Sequence, residues 1–206
     1  MRSLLAFLAA TIAIAPAALR ADDKATFDGR KWGFSIDIPP GFTVSKTNLK
    51  LKALAKGESQ GLAIFTAAQD DGFSANFNVI AVGGPTTRDE VITSTKDEMK
   101  KIGLDVVAEK KLSVSGRDAV MLEYAGPFGG PGGRRLHFLT LTVIDGDRTF
   151  SLTGTATKDD YPSREKTFHA CVESFKLTAE KPYVREEKPA SDKPDEKPSD
   201  EKKDNF

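Results

Sequence analysis

The chain has 206 residues, 30 Lys and Arg against 30 Asp and Glu, 39% hydrophobic residues and one cysteine. That length holds one domain of ordinary size plus appendages. The balanced charge lacks the basic excess that phosphate-backbone binding needs, so no nucleic-acid partner is expected, and a single Cys excludes an intramolecular disulfide.

Met1-Arg2 gives a positive start, Leu4 to Ala15 is an apolar run, and small residues follow at Ala17, Ala18 and Ala21. This is the layout of a secretory signal peptide over residues 1–21. The run falls short of the ~20 residues that span a bilayer. Cleavage after Ala17 or Ala21 fits the pattern, and Ala21 is preferred because the polar Asp22-Asp23-Lys24 follows directly. With no Cys beside the cleavage site to carry a lipid, the mature chain is expected to be periplasmic or secreted, with no membrane span.

Phe27 to Ile38 alternates around Trp32, Phe34, Ile36 and Ile38 and predicts a first strand, ended by Pro39-Pro40-Gly41. Further strands are expected at Phe42 to Ser45, Leu62 to Ala67 and Phe73 to Val82, the last with Phe73, Ala75, Phe77, Val79 and Ala81 on one face. Between the first two of these, Lys50 and Lys52 alternate with Leu49 and Leu51. That pattern suits an edge strand defended by lysines, or a basic contact patch.

Thr87 lies three residues before Glu90, a capping box, and Val91, Ile92, Thr95, Met99 and Ile102 follow at helical spacing. A helix from Thr87 to Ile102 is therefore expected, closed by Gly103. Leu104 to Val114 and Ala119 to Tyr124 predict a hairpin around Ser115-Gly116. The glycine-rich run from Gly126 to Gly133 then leads into a second hairpin, Arg134 to Ala156, turning at Asp145-Gly146. That turn places Leu141 opposite Phe150 and Leu139 opposite Leu152 on an apolar face. Thr142 meets Thr149 and Thr140 meets Ser151 on a hydroxyl face, and a slide of two residues leaves both faces as they are.

Asp159 or Asp160 is expected to cap a second helix, with Pro162 in its first turn and Phe168, Cys171, Val172 and Phe175 on its buried side. Cys171 is thus a core residue rather than a reactive thiol. From Ala179 to Phe206, large apolar residues nearly vanish and an acid-Lys-Pro triplet recurs. Such a segment cannot bury enough surface to offset its ordering entropy, and a disordered tail is expected. The order of strands, helix, strands and helix indicates one α+β domain over residues 24–178, with a mostly antiparallel β-sheet and helices packed on its faces.

The inventory for chemistry is thin. His137 is placed opposite Gly154 as a hydrogen-bonded structural residue, and His169 is expected to face solvent. No Cys partner or His-x-x-x-His spacing supports zinc, and among the acidic pairs only Asp70-Asp71-Gly72 approaches a calcium loop. The glycine-rich loop lacks the Gly-Lys-Ser/Thr ending of a phosphate cradle, and no Gly-x-Ser-x-Gly elbow occurs. No catalytic, cofactor-binding or metal residue is nominated, and no enzyme activity is expected. Phe128, Arg134 and Arg135 at the loop, with Lys50 and Lys52, form the candidate contact surface.

Three phrases together resemble the PsbP-like superfamily: Gly33-Phe34-Ser35-Ile36-Asp37-Ile38-Pro39-Pro40-Gly41-Phe42, Gly116-Arg117-Asp118-Ala119-Val120 with Leu122-Glu123-Tyr124, and Val143 to Thr153 followed by a helix and Ser174-Phe175. The resemblance covers Phe27 to Leu177, with Phe42 where a Trp is common and a tail the family does not share. It implies an α/β/α sandwich with an antiparallel sheet between helices, and a non-catalytic accessory or binding role. Its motifs are strand and turn positions, so no functional residue carries over. The function expected is an exported accessory or binding module whose partner is another envelope or secreted protein. The alternative is a periplasmic carrier of a small ligand or ion, using the face of Thr140, Thr142, Thr149 and Ser151.

Overall fold

The computed structural model describes residues 25–45, 54–69, 72–129 and 132–185. The expected signal peptide, Lys50 and Lys52, the Asp70-Asp71 pair and the tail beyond Arg185 lie outside the described residues. In chain order the elements are β1 (Thr26–Gly29), a 3₁₀ turn (Arg30–Trp32), β2 (Phe34–Asp37), β3 (Phe42–Ser45), β4 (Ser59–Ala67), β5 (Asn76–Gly83), α1 (Arg88–Lys101), β6 (Asp105–Val114), β7 (Arg117–Phe128), β8 (Arg134–Asp145), β9 (Arg148–Thr157), α2 (Tyr161–Ser174) and β10 (Lys176–Leu177).

Seven strands form one sheet in the order β3-β4-β5-β9-β8-β7-β6, with each neighbouring pair antiparallel. A smaller sheet, β1-β2-β10, is also antiparallel. One face of the large sheet buries Phe65, Phe77, Val79, Leu139, Leu141, Phe150 and Leu152 against Phe34 and Ile36 of β2 and Phe168, Cys171 and Val172 of α2. The other buries Val120, Leu122, Tyr124, Leu136 and Phe138 against Val91, Ile92 and Met99 of α1. The expected α+β architecture, an antiparallel sheet between helices, is the one observed. Burying each such side chain contributes about 1.5–3 kcal/mol, which is how a chain without disulfides holds two layers on one sheet.

Helix α1 starts as the sequence predicts. The Thr87 hydroxyl accepts from the Glu90 N–H at 3.3 Å, and the Glu90 carboxylate accepts from the Thr87 N–H at 2.8 Å. The bonds that the Glu90 carboxylate accepts, from the Thr87 N–H first and then from the Thr87 and Thr86 hydroxyls, hold its carboxyl below its ordinary range. Its contribution to the cap is therefore complete above that range and is lost as pH falls through the lowered value. Thr87→Ala is expected to cost about 1 kcal/mol, measured by urea denaturation.

Several expectations need correction. The single strand from Phe27 to Ile38 is a hairpin, β1 and β2, because Asp28 accepts the Arg30 N–H at 3.0 Å and Gly33 takes a left-handed φ of 83°. The turn after β8 lies one residue later than predicted. Gly146 (φ 66°) and Asp147 form the loop, so Leu141 pairs with Leu152 and Val143 with Phe150. Positive φ at the first loop position alone is the pattern that puts glycine first in a type II′ turn. Both faces keep their residues. Phe73 falls before β5 and packs with the α1-side cluster, not with Phe77. Asp160 precedes α2, but its carboxylate accepts from the Ser163 hydroxyl and Arg164 rather than from a backbone N–H.

Candidate functional sites

The predicted contact residues do not form one patch. Arg134 lies over the Phe73 ring, 5.5 Å from its centroid, at one end of the α1-side face. Phe128 is half-buried rather than exposed, with its ring centroid 6.0 Å from that of Phe138, because the strand pairing of β7 and β8 runs out to Phe128 and Arg134. Side chains alternate across a strand, so Arg135 points to the α2 side with His137 while Arg134 shares its face with Leu136 and Phe138.

The hydroxyl face is the α1 side of the large sheet. In one row across β5, β9, β8 and β7 stand Asn78, Thr153, Thr140 and Leu122, and in the next Asn76, Thr155, Phe138 and Tyr124. The Tyr124 hydroxyl and Thr140 share a hydrogen bond of 2.8 Å, and Thr140 and Thr153 one of 3.2 Å. Burial pushes the Tyr124 hydroxyl up, so it stays neutral. Thr155, 2% exposed, has a buried hydroxyl with no partner, and the Asn78 side-chain carbonyl oxygen is likewise buried and unpartnered. Helix α1 packs on β6 and β7, while Asn76, Asn78, Ile80 and Ser151 remain half-buried. The face therefore presents a floor of neutral donors and acceptors flanked by the Tyr124–Phe138 ring stack.

A second polar cluster escaped the sequence reading. On the α2 side, Glu123 Oε2 lies 3.2 Å from His137 Nε2 and accepts from the Tyr161 hydroxyl at 3.2 Å, and Glu123 Oε1 lies 3.4 Å from His169 Nε2. His137 and Tyr161 stack with centroids 3.5 Å apart. Both histidines of the chain thus converge on one carboxylate. His137 is the hydrogen-bonded structural residue expected, although it sits opposite Ala156. His169 does not face solvent, because its place on α2, two turns on from Tyr161, brings it to the margin of the buried stripe. Burial, then the Glu123 charge, pushes the Tyr161 hydroxyl far above its ordinary range. The available signal was Glu123, a charge at a strand position whose same-face neighbours are Met121 and Ala125. Glu123→Leu is expected to cost about 1–3 kcal/mol by leaving the buried Tyr161 hydroxyl unpaired, and Glu123→Gln less, ranked by thermal unfolding. Among the described residues no group of three or more His, Cys, Asp or Glu is arranged to hold a metal ion. Cys171, whose thiol burial pushes up, sits in the core as predicted and meets the Asp37 carbonyl.

The third cluster closes one end of the sandwich. Asp145, 1% exposed, accepts from Arg148 Nε at 2.9 Å and Nη2 at 2.8 Å, and from Arg117 Nε at 3.2 Å. Arg148 lies between the Phe150 and Tyr183 rings, 4.8 and 4.4 Å from their centroids. Residues expected to begin the disordered tail are instead held here. Arg117 Nη2 donates to the Glu180 carbonyl at 2.7 Å, Gly146 bridges Tyr183, and the Asp147 carboxylate accepts from the Arg185 N–H at 3.0 Å. Residues 179–185 therefore belong to the fold.

The architecture is thus a seven-stranded antiparallel sheet with α1 on one face and α2 with a small sheet on the other. The solved structures it resembles include cyanobacterial PsbP (CyanoP) from Synechocystis sp. PCC 6803, at 14% identity and TM-score 0.54 over 81% of this chain and 98% of that one. LpqN of Mycobacterium tuberculosis, described as involved in cell envelope biogenesis, matches at 12% identity and TM-score 0.53 over 77% and 87%. Protein PA94 of unknown function from Pseudomonas aeruginosa matches at 17% identity and TM-score 0.50 over 65% and 94%. At these identities the likeness is one of fold. No protein-family model matches the chain, and no curated protein matches it. Among the described residues no helix is long and apolar enough to cross a membrane.

Proposed function

We propose that this chain is an exported PsbP-like module with a non-enzymatic accessory or binding role in the periplasm or outside the cell, where its partner is another envelope or secreted protein. The observation that carries the reading is the fold correspondence with CyanoP and LpqN, which extends over nearly the whole of both. The signal-peptide layout of residues 1–21 supports the compartment. Mass spectrometry of the protein recovered from fractionated cells tests it. The expected form lies outside the cytoplasm and starts at Asp22, and an uncleaved chain confined to the cytoplasm overturns the reading.

A second reading, carriage of a small ligand, is favoured by one observation: the unpartnered Thr155 hydroxyl and Asn78 carbonyl beside the Tyr124–Thr140–Thr153 chain. A buried polar atom without a partner costs about 1–3 kcal/mol. Native mass spectrometry of protein purified from its own compartment is expected to show a bound mass under this reading. An empty protein, with no thermal shift from metals or metabolites, counts against it.

A further inference from the structure

We propose that the groove beside the β8–β9 turn, which the chain's own residues 180–185 occupy, is a peptide-recognition site. The occupant it fits is an extended segment of a partner protein in which a proline precedes an aromatic residue. The proposal deepens the accessory reading above and rests on it for the existence of a partner.

The contacts of the resident segment show what the groove reads. Four hydrogen bonds hold the segment, and each uses one of its backbone groups. Arg117 Nη2 donates to the Glu180 carbonyl at 2.7 Å, and the Tyr183 N–H donates to Asp145 Oδ1 at 3.4 Å. The Asp147 N–H donates to the Tyr183 carbonyl at 2.9 Å, and the Arg185 N–H to the Asp147 carboxylate at 3.0 Å. With the parallel bridge between Gly146 and Tyr183, this is recognition by strand addition, in which main-chain bonds bind and few side chains are read. The groove admits a backbone closely, since a Cβ at Gly146 would lie 2.2 Å from the Tyr183 carbonyl oxygen. The one side chain it reads is Tyr183, whose ring covers Arg148 and sandwiches it against Phe150. Pro182 precedes that ring, and proline biases the residue before it toward extended backbone, so less freedom is lost on docking.

The resident segment is shallowly rooted. Lys181, Pro182, Val184 and Arg185 are exposed, and only Tyr183 is half-buried. Segments with few buried apolar contacts open far more readily than the core, so the groove exchanges its occupant without unfolding the sheet.

The probe is a dye-labelled synthetic peptide of residues 179–185 with blocked ends, titrated by fluorescence anisotropy. The full chain carrying Tyr183→Ala, which removes the resident ring, is expected to bind it saturably. The wild-type chain is expected to bind about tenfold more weakly or less, because its own segment competes at an effective concentration of roughly mM. A peptide with alanine in place of its tyrosine is expected to lose about tenfold or more on the Tyr183→Ala chain. In the isotope-labelled wild-type chain, excess unlabelled peptide should move the Tyr183 ring resonances toward their free-peptide positions, a readout that needs no variant. No saturable binding to a Tyr183→Ala chain that keeps the wild-type unfolding transition, or Tyr183 resonances that stay in place, overturns the site. Equal affinity for the two chains, or for the two peptides, overturns its placement in this groove. Self-association of the wild-type chain that Tyr183→Ala abolishes would make the occupant a second copy and overturn the assignment to another protein. These titrations read the groove alone, so their failure leaves the accessory reading to its own tests of compartment and captured partner.

Discussion

Replacing Asp145 by alanine is expected to lower folding stability by about 3–5 kcal/mol, because it strands two arginines whose side chains are only 14% and 11% exposed. The loss comes less from the attraction itself than from the uncompensated charge left behind in a poorly solvated site. Asp145→Asn keeps the shape but removes the charge, and is expected to fall close to the alanine variant. Both changes should also free the segment around Tyr183, whose N–H lies 3.4 Å from Asp145 and whose ring covers Arg148. Urea denaturation gives the first effect and limited proteolysis after Thr178 the second. A loss below about 1 kcal/mol would mean that the cluster behaves as an exposed ion pair.

Phe34→Ala should be equally damaging, by about 3–5 kcal/mol, for a reason of volume rather than charge. Phe34 is fully buried, and its ring lies 5.4 Å from those of Phe150 in the large sheet and Phe175 after α2, and 6.0 Å from Phe27. With Ile36, it joins the three-stranded sheet to the common core. Calorimetry is expected to show one transition, shifted down. Two separate transitions would show that the small sheet folds independently of the large one.

What the sequence discloses is local. Thr87 and Glu90 name the start of α1 because both halves of the cap lie within one turn, and the alternation of β8 and β9 survives a misplaced turn because a two-residue slip keeps every side chain on its face. The hairpin of β1 and β2 was hidden because its turn is made by Asp28 and Gly33 within a stretch that still alternates. The polar clusters were hidden for a different reason. Glu123, His137, Tyr161 and His169 come from three elements, and no spacing along the chain announces that they meet. By composition Tyr183 belongs with the acid-Lys-Pro tail, yet an aromatic ring set against Arg148 helps tie that segment down. Trp32 was legible as an apolar strand residue, but its unpartnered N–H depends on the three-dimensional neighbourhood alone.

The held segment also changes where the tail should be cut. A chain ending at Thr178 would lose the contacts of Glu180, Tyr183 and Arg185 and test stability, whereas one ending at Arg185 keeps them and removes only the acid-Lys-Pro repeats. Crosslinking in intact cells, followed by mass spectrometry of what co-purifies with the full chain and with the chain ending at Arg185, is therefore the most direct test of the accessory role. The expected result is a reproducible envelope or secreted partner on the full chain. Retention of that partner by the shorter chain would place recognition in the folded domain, and its loss would place recognition in the tail. Recovery of both forms alone, under conditions where a known envelope complex is captured, would contradict the account.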